Sequence, residues 1–197
     1  MDKNPISWQP QHPAFQALLQ TVVADAAPVY VVGGVVRDHL LGTNKKLTDL
    51  DLVVQENALA VARRAANKLG WAYYALDEAR DVARLVFSAG GDNPLVCDVA
   101  GMRGPSIVSD LADRDFTINA MAFELLPNRP VTLLDNHNGR QDLAARLVRR
   151  VNATSLVTDP LRLLRAVRFA GQLGFTIEQE TQAQIVRLTS ALKLTSA

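Results

Sequence analysis

The sequence predicts a mixed α+β or α/β domain over residues 1–137, followed by a short helical segment over 138–197. Short apolar runs that end at glycine or proline are typical of strands, and stretches with apolar residues at helical spacing separate them. After Asp135 only helix-type patterns follow. A chain of 197 residues can bury one full core, whereas about sixty residues is little for an independent helical domain. The helical segment therefore either packs on the first domain or belongs to a larger protein.

The chain opens with a helix, a strand and a shorter helix. Apolar residues at helical spacing predict a helix over 14–26, which Pro28 ends. The run Val-Tyr-Val-Val at 29–32 predicts a short buried strand. The glycines at 33–34 break that strand, and one or two helical turns are expected over 35–41.

The middle of the chain is expected to supply most of the sheet. Alternating acidic and apolar residues predict a strand over 49–54. An alanine-rich helix is expected over 57–69, with Asn57 as its N-cap and Gly70 as its terminator. Three further strands follow at about 72–75, 83–88 and 95–99, and the turn residues 89–94 predict a hairpin between the last two.

The last part of the chain turns from strands to helices. A short helix after Thr117 should lead into strands over 122–125 and 131–134, which a proline-containing turn separates. Apolar residues spaced by three then predict a helix over 159–173, and another helix is expected over 179–188. The three apolar positions are Leu161, Leu164 and Val167.

Composition favours a cytoplasmic protein without a membrane span. The chain is 48% hydrophobic and 21% charged, and no uninterrupted apolar stretch approaches the ~20 residues that cross a bilayer. The N-terminal residues lack the basic and apolar regions of a signal peptide. The single cysteine, Cys97, cannot form an internal disulfide, and its apolar strand pattern predicts a buried core residue.

Two carboxylates, Asp49 and Asp51, lie one residue apart in a predicted strand. Successive strand side chains alternate between faces, so these two carboxylates share one face while their apolar neighbours point into a core. Like charges on one face repel each other unless a cation or water screens them. Magnesium prefers such oxygen ligands, and substrate phosphates complete its shell. We therefore predict a magnesium site at Asp49 and Asp51, with Asp98 as a candidate third ligand.

The glycine pair Gly33-Gly34, followed by Arg37, predicts a phosphate-binding turn. Glycine has no Cβ, so backbone N–H groups can approach a phosphate closely. A glycine pair alone more often marks a tight turn, and the acidic pair one strand later is what favours the functional interpretation. A dinucleotide-binding fold is disfavoured because its G-x-G-x-x-G pattern is missing from the sequence.

Positive charge is concentrated late in the chain, although the formal net charge is only +1. Such a local excess can hold phosphates or can simply be a solvated helix surface. Charge alone does not separate these two interpretations. The stretch 140–168 contains seven arginines and two acids: Arg140, Arg146, Arg149, Arg150, Arg162, Arg165, Arg168, Asp142 and Asp159.

Four motifs follow one another over about 29–175. They are Gly33-Gly34-Val35-Val36-Arg37-Asp38 with Asp49-Leu50-Asp51, then Arg114-Asp115-Phe116-Thr117-Ile118-Asn119-Ala120, then Asp135 to Asp142-Leu143 with Gly139, and last Thr158-Asp159-Pro160-Leu161-Arg162 with Leu164 to Ala170. Together they resemble the tRNA nucleotidyltransferase and poly(A) polymerase family, in its bacterial class II branch. The match is specific because all four motifs are present and in order.

The resemblance implies a polymerase-beta-like nucleotidyltransferase head and the start of a helical neck, with 1–137 as head and 138–197 as neck. It implies transfer of a nucleoside monophosphate from ATP or CTP to the 3′ end of tRNA, with Mg2+ as cofactor. Poly(A) polymerase activity is the alternative within the family. A nucleotide-binding module without turnover is an alternative of another class, because the longer helical body that grips RNA in the family is missing from this sequence.

The resemblance also implies individual roles. Asp115 would accept hydrogen bonds from a ribose hydroxyl, or cap the following helix, while Arg114 would bind phosphate or support Asp115. Asp159 and Arg162 would read the base edge as a protein template, or form only an i,i+3 ion pair. The remaining nucleotide-binding candidates are Gly33, Gly34, Arg37, Asp38, Asn119, Arg165 and Arg168.

Three positions depart from the family pattern. Thr158 stands where a glutamate is usual, Asp113 where the first of two arginines is usual, and Asn138 where the first of two glycines is usual. None of the three changes a predicted metal ligand. The departures therefore bear on the choice of nucleotide more than on catalysis.

Overall fold

A computed structural model describes residues 4–43, 45–88 and 93–189. Its main element is a mixed eight-stranded sheet in the order β1-β8-β7-β2-β3-β6-β5-β4. Only β3 and β6 pair in parallel, and all other neighbours in this sheet are antiparallel. The strands are β1 (Asn4–Pro5), β2 (Val29–Val32), β3 (Asp49–Val54), β4 (Ala72–Asp77), β5 (Val82–Phe87), β6 (Leu95–Gly101), β7 (Ala122–Leu125) and β8 (Thr132–Leu134).

Seven α-helices and one short 3-10 turn, Thr117–Asn119, complete the described part of the chain. The predicted α+β class is confirmed, and the predicted elements are found within a few residues of their expected ends. The helices are α1 (Pro13–Ala26), α2 (Gly34–Leu40), α3 (Ala58–Leu69), α4 (Ile107–Ala112), α5 (Gly139–Ala144), α6 (Leu161–Leu173) and α7 (Gln179–Leu188).

One face of the sheet carries the main hydrophobic core. Helices α1 and α3 pack there, and Leu50, Leu52 and Val54 of β3 are at most 1% exposed. Cys97 is fully buried in the same core, as predicted. On the other face, α4 covers Val32 and Val53 in a smaller apolar cluster. Asp49 and Asp51 also lie on this second face, since side chains alternate along β3.

The N-terminus of α3 differs from the prediction. Asn57 is the N-cap residue but adopts a left-handed conformation, with φ of 58°, and its side chain makes no capping bond. The carboxylate of Asp81 caps the helix instead, accepting from the backbone N–H groups of Ala58 (2.7 Å) and Leu59 (2.9 Å). A cap contributed from 22 or more residues away leaves no local sequence pattern.

The segment after residue 137 is mainly helical but also contains a small parallel sheet. Its strands β9 (Leu147–Val148) and β10 (Thr176–Ile177) pair over two residues each. Strands this short carry too few residues for a period-2 pattern to be visible in the sequence.

Helix α6 begins two residues later than predicted, and the apolar residues that predicted it do not lie on its buried face. Leu161, Leu164 and Val167, which predicted the helix, are 53–58% exposed. The buried series is Leu163, Ala166 and Phe169, and the ring of Phe169 meets that of Phe116 edge-on at 5.9 Å. A helix with two apolar stripes does not reveal which one packs, because that depends on the partner surface.

Residue 138 explains one departure from the family pattern. Asn138 precedes α5 in a left-handed conformation with φ of 58°, which glycine adopts freely and asparagine tolerates best among other residues. The replacement of glycine by asparagine is therefore compatible with the backbone.

Strands β5 and β6 do pair as a hairpin, but residues 89–92 of its predicted turn lie outside the described residues. Across the described ranges, no helix is both long and apolar enough to span a bilayer.

Candidate active site

The acidic pair lies on the open face of β3, as the alternation predicts. Asp49 and Asp51 are both exposed, whereas Leu50 between them is buried. Asp51 is paired in register with Val32 of β2 on one side and with Asp98 of β6 on the other. The hydroxyl of Thr48 donates to Asp49 at 2.8 Å. Two carboxylates thus point to the same face of the sheet from one strand.

The pKa of the Asp51 carboxyl is raised. Desolvation in the concave site is the largest cause, and the negative charges of Asp98 and Asp49 raise the pKa further, while Arg114 and Arg84 oppose the shift. Much of the Asp51 side chain still faces the open cleft, so this is a crowded acidic surface and not a sealed core. A divalent cation would remove the repulsion, so the donor set fits such an ion.

Asp98 has a partner that the sequence does not predict. Its two carboxylate oxygens accept from Nε and Nη2 of Arg84, both at 2.8 Å, in a bidentate ion pair. This hydrogen bond raises the pKa of Arg84. Within the described residues, no group of three or more acidic, histidine or cysteine side chains forms a metal cluster. Because both Asp98 oxygens bind Arg84, Asp98 could act as a third metal ligand only if this contact loosened.

Gly33 sits where only glycine fits comfortably. Its φ of 74° and ψ of −133° lie in a region that side-chain-bearing residues avoid. A Cβ there would lie 3.4 Å from Oδ2 of Asp51 and 3.8 Å from Arg114. The turn at the start of α2 therefore lies in contact distance of Asp51.

Arg37 anchors the first motif to the second. Its Nε and Nη2 contact Oδ1 of Asp38 at 2.8 and 2.7 Å, and its Nη1 donates to Oδ1 of Asn119 at 2.9 Å. The side chain is only 11% exposed. In this structure the Arg37 guanidinium links α2 to the 3-10 turn through Asn119. Phosphate binding by Arg37 therefore stays a prediction.

Asp115 joins the sheet domain to α6. Its Oδ2 accepts from Nε of Arg165 at 2.8 Å, and Nη2 of Arg165 lies 2.7 Å away. Oδ1 accepts from the backbone N–H of Phe116 and from Nδ2 of Asn119, at 2.8 and 3.2 Å. Asp115 does not cap the 3-10 turn, whose N-cap is Phe116 and which has no side-chain cap. Asn119 thus links Arg37 to Asp115.

Arg114 supports a different aspartate from the predicted one. Its Nη2 and Nε donate to Oδ2 of Asp110 at 3.0 and 3.3 Å, not to Asp115. Asp110 is 1% exposed and also accepts from the backbone N–H and the Nε of Arg103, both at 3.2 Å. The i,i+4 spacing of Asp110 and Arg114 was visible in the sequence, whereas the contact with Arg103 was not.

The predicted base-reading pair is present as a long ion pair of 3.7 Å between Arg162 and Asp159. Only Arg162 lies in α6, because Asp159 precedes the Pro160 cap and binds the N–H of Leu161. Nη1 and Nη2 of Arg162 donate to the backbone carbonyls of Ser155 (3.0 Å) and Asp113 (2.8 Å). These two backbone carbonyls therefore hold the Arg162 guanidinium in place. They do so although Thr158 stands where a glutamate is usual in the family.

These groups meet in one polar cleft of about 430 Å³ between the sheet and α6. Two further lining residues, Arg103 and Phe169, were not predicted from the sequence. The guanidinium groups of three arginines lie 5.1–5.4 Å from the centroid of the Phe169 ring, and this contact depends on how the elements pack. Ten predicted residues line the cleft: Gly33, Gly34, Arg37, Asp51, Arg114, Asp115, Asn119, Asp159, Arg162 and Arg165.

Four predicted residues lie elsewhere. Asp38 and Asp49 line an adjoining cleft of about 360 Å³ that shares Gly34 and Asp51 with the first. Arg168 stacks against Phe169 without lining either cleft, and Asp98 lies one strand beyond Asp51. Within the arginine-rich stretch, Arg149 pairs with Asp142 and Glu178, so part of that charge is structural.

An acidic pair beside a glycine turn, with Asp51 opening onto an arginine-lined cleft, is an arrangement typical of nucleotide-binding proteins. Comparison with known families agrees with this geometry. The family model for the poly A polymerase head domain matches residues 29–103 and 99–149, more than half of the chain, and the chain belongs to that family. Proteins of this nucleotidyltransferase family generally use a divalent metal.

Individual relatives share the sequence and the fold. The chain is 40% identical over 167 residues to the CC-adding tRNA nucleotidyltransferase of Synechocystis sp., covering 85% of this chain and 38% of that protein. It is 35% identical to the A-adding tRNA nucleotidyltransferase of Aquifex aeolicus, over 78% of this chain and 19% of that protein. The structure of a CCA-adding enzyme in complex with CTP superposes with a TM-score of 0.80 at 36% identity, covering 94% of this chain and 45% of that one. The chain therefore spans less than half the length of these relatives.

Proposed function

We propose that this protein transfers nucleoside monophosphates from CTP, ATP or both to the 3′-hydroxyl of tRNA, releasing pyrophosphate. One observation carries the proposal: Asp51 opens onto the same cleft as the glycine turn and the Asp159–Arg162 pair. That cleft can hold a triphosphate near the carboxylates while the base lies against the pair. The names of the relatives, which are CC-adding and A-adding tRNA nucleotidyltransferases, supply the substrate class.

The chain's own groups have separable tasks in this proposal. The N–H groups at Gly33 and Gly34, with Arg37 and Arg114, would hold the triphosphate, and Asp115 would accept from the ribose. Arg162 presents donors and Asp159 acceptors, so cytosine and adenine can each find partners. Residues 1–137 would serve as the catalytic head and 138–197 as the start of the neck that carries the base-reading pair.

Asp49 and Asp51 would hold Mg2+, and Asp98 would join them if it released Arg84. When bound, the ion would lower the pKa of the attacking hydroxyl and neutralise the leaving pyrophosphate. The negative charges of Asp98 and Asp49, which add to the desolvation that raises the pKa of Asp51, support this assignment. The hydroxyl would attack the α-phosphorus in line, which forms one phosphodiester bond and breaks the bond to pyrophosphate.

Incubation of the chain with tRNA lacking its 3′ end and each labelled nucleotide in turn tests the proposed function. Label should enter the RNA with CTP, with ATP, or with both in order, and should not enter with GTP or UTP. The product pattern identifies which nucleotides are added, and long adenosine tracts would instead indicate the poly(A) alternative. Nucleotide binding without any incorporation would favour a binding module without turnover.

Magnesium should stabilise the protein through Asp49 and Asp51. At about ten times its dissociation constant a ligand adds ~1.4 kcal/mol, which is about 3–6 °C in Tm for a chain of this size. Thermal unfolding with and without Mg2+ measures the shift. Asp49→Asn with Asp51→Asn should abolish it, and Asp98→Asn decides whether that residue is a ligand.

The sign of the pH dependence follows from Asp51. Its pKa in the folded protein lies above the unfolded value, so between the two values the folded state binds more protons than the unfolded chain. Metal-free stability should therefore fall as pH rises through that window. Because protons compete with the ion, the magnesium-induced rise in Tm should be larger at pH 8 than at pH 5, and a pH-independent rise would contradict the assignment.

A further inference from the structure

A row of side chains crosses the open face of the sheet, starting at the catalytic carboxylate. Asp51 of β3 pairs in register with Asp98 of β6, Asp98 with Arg84 of β5, and Arg84 with Tyr74 of β4. Residues in register across neighbouring strands point to the same face. With strands about 4.8 Å apart, Tyr74 lies about 14 Å from Asp51.

Among the residues that the structure describes, none covers this part of the sheet face enough to bury it. Residues on the opposite face of the same strands, such as Leu85, Cys97 and Val99, are buried in the core that α3 covers. On the open face Tyr74 is 54% exposed and the Arg84 side chain is 43% exposed. Tyr73, the neighbour of Tyr74, faces the other way and lies under the guanidinium of Arg63 at 3.6 Å. Tyr74 therefore presents an exposed aromatic ring on the catalytic side.

We propose that this row, Asp51–Asp98–Arg84–Tyr74, is the track along which the single-stranded 3′ end of the acceptor RNA reaches the carboxylates. The inference rests on the proposed function and adds the path of its second substrate. The nucleotide cleft takes up the other side of Asp51, where Gly33, Arg37 and α6 lie. An acceptor that attacks in line must approach from a different side, and the row offers a surface that leads there.

The chemistry of the row suits a single strand of nucleic acid. Such strands bind where a cation meets the backbone and an aromatic ring stacks on a base. The pair with Asp98 uses Nε and Nη2 of Arg84, and a guanidinium carries five N–H donors, so Nη1 has donors to offer a phosphate. Asp98 cancels part of that charge, which makes the contact weaker than one to an unpaired arginine. Tyr74 can stack on any base, so the track needs no particular sequence.

Fluorescence anisotropy with labelled tRNA lacking its 3′ end tests the track on the full chain. Tyr74→Ala should weaken RNA binding on the order of tenfold, since one base–aromatic stack accounts for that much. Tyr74→Phe, which keeps the ring, should bind as the unsubstituted protein does. Neither variant touches the nucleotide cleft, so the affinity for ATP and CTP should stay the same.

Salt dependence tests Arg84 independently. Arg84→Gln should reduce the slope of log affinity against log salt by about 0.7, the value for one phosphate contact on a single strand. Arg80→Gln is the matched control, because Arg80 lies in the turn between β4 and β5, is 84% exposed and is outside the row. It should leave the slope unchanged.

The outcomes separate this inference from the proposed function. Unchanged RNA affinity in Tyr74→Ala, with nucleotide binding and transfer retained, would overturn the track and leave the function standing. Failure of the unsubstituted chain to bind the RNA would overturn it as well. A change in oligomeric state on Tyr74→Ala, in place of a change in RNA affinity, would assign the patch to a second copy of this chain.

Discussion

Replacement of both Asp49 and Asp51 by alanine is expected to lower nucleotide transfer by at least about a thousandfold. Metal-assisted stabilisation of transferring phosphoryl groups is worth several kcal/mol, and every ~1.4 kcal/mol is a factor of ten in rate. The measurement is incorporation of labelled CTP or ATP into tRNA lacking its 3′ end. Magnesium-dependent nucleotide binding by equilibrium dialysis gives a second readout that does not require turnover.

Misfolding should not explain this loss. The carboxylates of Asp49 and Asp51 repel each other and Asp98, so their removal relieves unfavourable charge in the metal-free protein. The double variant should therefore unfold at the same or a higher temperature than the unsubstituted protein when no metal is added. Asp77→Ala, at a half-buried strand end away from both clefts, is the matched control and should transfer normally. Full activity in the double variant would refute the metal assignment.

Gly139→Ala is expected to destabilise the protein by about 1–3 kcal/mol, the usual cost of forcing a methyl group into a packed site. Gly139 is the buried first residue of α5. A Cβ there would press on the backbone carbonyl of Thr117 and lie 2.8 Å from the side chain of Met121. The carbonyl cannot move freely, because Thr117 begins the 3-10 turn that carries Asn119. Thermal or urea unfolding measures the loss, together with reduced nucleotide binding.

Gly171→Ala is the matched control for this substitution. Gly171 lies inside α6, and a Cβ at that position meets no atom within 4 Å. Alanine is favoured over glycine in a helix interior by about 0.5–1 kcal/mol. The two glycine-to-alanine changes should therefore move the free energy of unfolding in opposite directions. Equal effects would show that the contact with Thr117 does not constrain the first turn of α5.

Local patterns in the sequence predicted much of the fold and most of the residues that line the candidate site. The strand with Asp49 and Asp51 on one face follows from period-2 alternation alone, since the side-chain direction in a strand is a backbone property. The glycine turn likewise follows from the residue type, because the φ of Gly33 excludes most other residues. Ten candidate residues then met in one cleft.

Contacts between residues that are far apart along the chain could not be predicted from the sequence. The helix cap from Asp81, the hold of Arg165 on Asp115 and the capture of Asp98 by Arg84 all join separate elements. Each contact depends on sheet order and on the position of α6, which no local pattern encodes. The buried face of α6 could not be predicted for the same reason, because packing against Phe116 selected the stripe of Phe169.

The order of residues along this chain determined which chemical groups are available: paired carboxylates, a glycine turn and a supply of guanidinium groups. Folding decided which of those groups face a ligand and which hold one another, because strand order and helix docking set the distances between them. Asp51 and Arg162 thus line a shared cleft, while Arg114 and Arg37 are engaged first by Asp110 and Asn119.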